Sequence, residues 1–243
     1  MTSCGEPELP SAKELTDNAT AETSSAPYSV NMYVNFTGDD EEYKDMLSAA
    51  SISGMRLNVD GDKIDLSAKK TIEGIGVDMK YTVVGGIMYV KLAISAFGTH
   101  QTVKQKAELN STQLKQLLSE NNASTDISIY DFEKYSVEKQ EDVYVITCTG
   151  ITERTEKILR DNVSALEGYS VVDTSNVKYV IKIKDGKYDS LYLSCDYKMS
   201  GKGKTVEFTM RMGMKYEYDT DFSIYAPDDS QNYTEVDFDN IRR

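Results

Sequence analysis

From residue 28 onward, apolar side chains recur at every second position. In YSVNMYVNF (28–36), Tyr28, Val30, Met32, Val34 and Phe36 share one face, while Ser29, Asn31, Tyr33 and Asn35 share the other. That alternation is the mark of a strand with one dry face. The later segments can be tested together, because turn length must agree with apolar parity: a slip of one residue would turn the wrong face inward. A two-residue loop at Gly61 and Asp62 predicts Val59 opposite Ile64, Leu57 opposite Leu66 and Met55 opposite Ala68. The Gly85-Gly86 pair supplies the positive φ that a tight hairpin needs. It predicts Val83 opposite Met88, Tyr81 opposite Val90 and Met79 opposite Leu92. Further on, a three-residue loop at 185–187 sets Ile181 against Leu191, Tyr179 against Leu193 and Val177 against Cys195. A loop at 201–204 sets Met199 against Val206, Tyr197 against Phe208 and Cys195 against Met210. Every predicted pair is apolar, so the pattern describes an antiparallel meander.

Three stretches change to the helical period. Near 40–49, Asp39 is a candidate N-cap, and Tyr43, Met46, Leu47 and Ala50 form a stripe. A second helix starts at Asn110, with Gln113 at the third position and Leu109 placed to staple onto Leu114. The third runs over 152–168, with Ile158, Leu159, Val163 and Leu166 on one side. These narrow stripes predict helices lying on one face of the sheet. The expected fold is mainly β within an α+β class: a large curved antiparallel meander or half-barrel with about three helices packed on one face.

Eight of the ten methionines, Met32, Met55, Met79, Met88, Met199, Met210, Met212 and Met214, fall in these strands with the parity of the apolar face. Methionine is unbranched and polarisable, and it fills irregular or changing shapes with little strain. A face built this way is either core or the lining of a cavity, and three helices are few to cover about ten strands. The cavity reading takes those eight methionines together with Val206 and Phe208 as ligand-lining residues, and the ligand as a lipid or other apolar molecule.

Composition restricts partners. The formal net charge of −13 argues against nucleic acid, which requires clustered Lys and Arg to displace counterions. No apolar run approaches the roughly 20 residues of a membrane-spanning helix. Residues 1–27 are rich in Ser, Thr, Ala, Pro and Glu, a composition that predicts a flexible tether. Residues 28–226 form the expected single domain, and 227–243 an acidic tail. Cys148 and Cys195 each sit in an apolar strand pattern without metal-ligand spacing and are expected as buried free thiols.

Catalytic signatures are missing from the sequence. His100 is the single histidine, in FGTHQT, which predicts a surface loop. No nucleophile elbow, phosphate loop or HExxH occurs. The expectation is a non-enzymatic protein without a cofactor.

Thr2, Ser3 and Cys4 are similar to the small-small-Cys end of a bacterial lipobox. With the tether-like segment, the meander with inserted helices and DFSIYAPDDS at 221–230, the chain resembles cell-surface lipoproteins of the LolA/LppX-LprG-like class at the level of pattern over about residues 28–226. The resemblance implies an unclosed barrel that holds an acyl chain or lipid, a lipid anchor on Cys4 and an extracytoplasmic location on the outer face of the cell membrane; the chain is expected to be a monomer. A surface-displayed structural or interaction module with a solid core, binding a protein or wall polymer, is the alternative.

Overall fold

A computed structural model describes residues 9–72, 74–114, 127–163, 169–201, 203–218 and 221–241. The first meander comprises β1 (Tyr28–Thr37), β2 (Ile52–Asp60), β3 (Lys63–Ile72), β4 (Ile75–Val84), β5 (Ile87–Ala96) and β6 (Thr99–Glu108). The second comprises β7 (Lys134–Gln140), β8 (Val143–Thr149), β9 (Tyr169–Lys184), β10 (Lys187–Gly201) and β11 (Lys204–Tyr218). β11 returns to pair antiparallel with β1, so the two meanders fuse into one sheet. With the short β12 (Thr234–Glu235), the order is β12-β6-β5-β4-β3-β2-β1-β11-β10-β9-β8-β7. Among the described residues only the β12–β6 pairing is parallel. The sheet does not close on itself, and its β7 edge carries Lys134, Glu138 and Lys139, charges that discourage pairing with a foreign strand.

Register follows the turn arithmetic. Val59–Ile64, Leu57–Leu66, Val83–Met88, Tyr81–Val90, Met79–Leu92, Ile181–Leu191, Tyr179–Leu193, Met199–Val206, Tyr197–Phe208 and Cys195–Met210 all pair as the parity requires. Two details differ. The β9–β10 turn is tighter than three residues, Lys184 facing Lys187, and a bulge between Tyr188 and Ser190 restores the register. A second irregularity between Ser194 and Asp196 prevents the Val177–Cys195 pairing. The β2–β3 ladder ends at Arg56–Ser67, one residue short of Met55.

The helices occupy the inner, apolar face. After a 3-10 turn at Glu41–Tyr43, capped by Asp40 rather than Asp39, α2 (Lys44–Ala50) buries Leu47 against the Phe208 end of the sheet. The Asn110 turn forms its predicted cap, with Gln113 N–H donating to Asn110 Oδ1 and Asn110 N–H donating to Gln113 Oε1. The continuation of that helix from 115 lies outside the described residues, as does 164–168 at the end of the third. α3 (Glu153–Val163) buries Thr155 and Leu159, and Tyr197 of β10 donates its hydroxyl to Leu159 O at 3.2 Å.

The expected tether is the chief correction. Residues Ala12–Ser24 form helix α1, whose Ala12, Leu15, Ala19 and Thr23 are buried. Ser11 caps it by accepting from Glu14 N–H, and Thr16, Thr20 and Ser24 return their hydroxyls to carbonyls one turn back, so the hydroxyl-rich composition is satisfied inside the helix. Thr23 and Thr20 meet the hydroxyls of Tyr218 and Tyr188 at 3.0 and 2.9 Å. The acidic tail is likewise built in: β12 pairs with β6, Tyr233 packs edge-on against Tyr89 at 5.4 Å, Lys104 pairs with Asp229, and Phe238 of α4 (Phe238–Ile241) is buried. Within DFSIYAPDDS, the stretch 221–227 has no regular structure, although Ile224 is buried.

Cys148 and Cys195 are buried and free. They lie on β8 and β10 with β9 between, so two interstrand spacings of about 4.8 Å hold their backbones beyond disulfide reach. Burial pushes the Cys148 thiol up to about 11 and the Cys195 thiol up to about 12.

Candidate functional site

Cover on the inner face is uneven, and the unevenness can be followed row by row across the first meander. The row Tyr28, Val59, Ile64, Val83, Met88 and Ala107 is buried throughout. In the next row, Val30 and Leu57 are buried, while Leu66, Tyr81 and Val90 are only partly so. In the third, Met55, Ala68, Met79 and Leu92 are half-buried and Val103 is 52% exposed. In the fourth, Val34 pairs with Ile52, and Lys70, Val77, Ile94 and Gln101 follow one another across β3 to β6. Ile94 there is 38% exposed. Helices α1 and α3 lie over the second meander, which leaves this end of the first open.

A hollow of about 980 Å³ is centred on the fourth row. Its floor is Val34, Ile52, Lys70, Val77, Ile94 and Gln101, and α2 contributes Ser48 at one wall, with Ser51 just beyond the helix. The neighbours of the floor residues along each strand also border it, so it lies against backbone as well as side chains. Its charged groups are two lysines, Lys69 and Lys70, against one aspartate, Asp78. Lys69 and Asp78 pair with each other at 3.3 Å. Lys70 donates to the carbonyl of Ala49, one of the terminal α2 carbonyls that no intrahelical N–H can reach. Partial burial lowers its pKa, and among the described residues no carboxylate forms an ion pair with it.

The methionines do not line this hollow. Met88, Met199 and Met210, with Val206 and Phe208, are buried core. Met32, Met212 and Met214 are partly buried and packed against that core. Met55 and Met79 alone of the ten expected residues stand on the half-exposed third row beside the hollow. The physical reason is the placement of α1, α2 and α3, which fill the curve under β1 and β8–β11 where most of the methionines lie. Parity located the face, but nothing in a strand's own sequence marks which part a helix will cover. His100, expected in a surface loop, lies in β6 opposite Ser95 and borders the hollow. At the adjoining β5–β6 turn, Phe97 is 91% exposed with φ of 49°, a left-handed conformation uncommon for a bulky residue. Cys4 lies outside the described residues.

Among the described residues no group of three or more His, Cys, Asp or Glu side chains is placed to hold a metal ion, and no helix is long and apolar enough to cross a membrane. Compared with known protein families and with characterised proteins, the chain matches neither. The fold defines the class: a large unclosed, antiparallel-dominated sheet with a few helices in its concave side.

Proposed function

We propose that this chain is a non-enzymatic cell-envelope lipoprotein, anchored to the outer face of the membrane through an acylated Cys4, that binds a lipid or other amphipathic apolar molecule against the open end of its inner sheet face. The observation that carries the reading is the gradient from a dry first row to a half-exposed apolar third row and a mixed fourth row that floors a 980 Å³ hollow. A monomeric sheet that had no ligand to accept would gain about 25 cal/mol for every Å² of that apolar surface it covered. Exposed Phe97 at the rim adds an apolar contact where a ligand would enter. The LolA/LppX-LprG-like resemblance points the same way.

The test is native mass spectrometry with organic extraction on the full chain carrying Cys4→Ser, purified from a lipid-containing host, beside the same chain with Ile94→Glu. A co-purifying apolar molecule that Ile94→Glu releases supports the reading. A clean apo mass, with no uptake of added fatty acids or phospholipids, refutes it and leaves the solid-cored interaction module in its place.

A further inference from the structure

Resting on that binding reading, we infer that the hollow selects a single-chain amphiphile with an anionic head, a long-chain carboxylate, whose head meets Lys70 and whose chain lies across β4, β5 and β6. Three features converge. First, Lys70 is the cation on the floor: Lys69 is engaged by Asp78, whereas Lys70 spends one of its three N–H donors on Ala49 O and has no carboxylate partner among the described residues. A protein of net charge −13 that keeps such an ammonium on the floor of a hollow has set an anion-attracting point in a surface that otherwise repels anions. Second, α2 brings a hydroxyl to that point. Ser48 precedes Ala49 at the wall of the hollow, and its hydroxyl can donate to the second carboxylate oxygen, whereas Ser51 already gives its proton to Leu47 O at 2.8 Å. Third, the row runs on from Lys70 through Val77 and Ile94 to Gln101, and the adjoining row supplies the apolar Met79, Leu92 and Val103. From β3 to β6 is three interstrand spacings, roughly 14 Å, room for an extended alkyl chain of about a dozen carbons. Methionine at 55 and 79, on the row beside the hollow, lets that border adapt to the chain.

The same ammonium also caps α2, so the test must separate head-group binding from loss of the cap. Dodecanoate, dodecanol and dodecyltrimethylammonium are titrated into delipidated full chain by calorimetry below their micelle concentrations, with wild-type, Lys70→Met and Lys70→Arg proteins, and thermal melts confirm folding of each. The expected order is dodecanoate about tenfold tighter than dodecanol, as for a partly exposed charge-assisted hydrogen bond, with the ammonium weakest. Lys70→Met should bring dodecanoate to the dodecanol level while leaving dodecanol unchanged, and Lys70→Arg should keep most of the preference. Equal binding of all three by the wild-type protein overturns the anionic-head inference and leaves the binding reading standing. A preference that survives Lys70→Met overturns the assignment to Lys70. Failure of every probe to bind overturns both.

Discussion

Truncating Leu15 to alanine tests whether the N-terminal segment is part of the fold. Leu15 is 8% exposed on a helix whose Ala12 and Ala19, one turn to either side, are fully buried. Removing its three outer carbons forfeits transfer free energy and leaves a void, which in cores costs 2–5 kcal/mol. Because α1 packs by one face and can settle toward the sheet, the lower part of that range applies, about 2–3 kcal/mol. Alanine is as good a helix former as leucine, so a loss of that size reports packing and not helix propensity. For a chain of this length it corresponds to a fall in Tm of roughly 5–10 °C. The assay is urea unfolding followed by far-UV circular dichroism and by the fluorescence of the 17 tyrosines, since the chain has no tryptophan. Lys13→Ala serves as the control: its ion pair with Asp17 is solvent-exposed on both sides and should leave the urea midpoint nearly unmoved. If Leu15→Ala is as stable as that control, α1 does not dock in solution and the reasoning fails.

Alkaline pH should destabilise the protein through its two buried thiols. An unfolded cysteine loses its proton near about 8.5, whereas burial holds Cys148 and Cys195 protonated up to about 11 and about 12. Stability is therefore complete below the unfolded value and lost as pH rises toward the folded ones, by about 2 kcal/mol per thiol at about pH 10. The urea midpoint should fall over that window, and the Cys148→Ala/Cys195→Ala double variant should flatten the slope; an unchanged slope sinks the assignment. In the outer face, Gly213 sits opposite Tyr33, and a Cβ there would lie 2.3 Å from the tyrosine ring. Gly213→Ala should cost about 1 kcal/mol, and adding Tyr33→Ala should recover part of it in a double-mutant cycle; strictly additive losses would show that the ring does not lie over the glycine.

Much of the sheet was legible because strand pairing is a local bookkeeping of parity and turn length. Once Gly85-Gly86 closes a two-residue turn, Met79 must face Leu92, and no distant residue can alter that without exposing a whole face. Short-range spacing also found the cap at Asn110, whose oxygen accepts from Gln113 N–H, and missed by one residue at Asp40. Composition misled at the N-terminus. Ser, Thr and Glu in abundance suggested a tether, although Ser11 and Glu14 have capping-box spacing and Ala12, Leu15, Ala19 and Thr23 recur along one helical face. The C-terminal tail failed for a different reason: Tyr233 packs on Tyr89 of β5 and the helix of Phe238 on β6, strands far earlier in the chain, and no local pattern announces those partners.

By itself, then, the sequence determined which residues alternate inward, how neighbouring strands align, and that the two cysteines are strand residues on the apolar side. The tertiary structure decided which inward residues stay dry. α1, α2 and α3 fill the curve beneath β1 and β8–β11 and turn most of the methionines into core, while the far ends of β3 to β6 remain open around Lys70. Parity is a property of one strand and its immediate turn, but cover depends on which distant element reaches over it, and that is fixed only when the whole chain has packed.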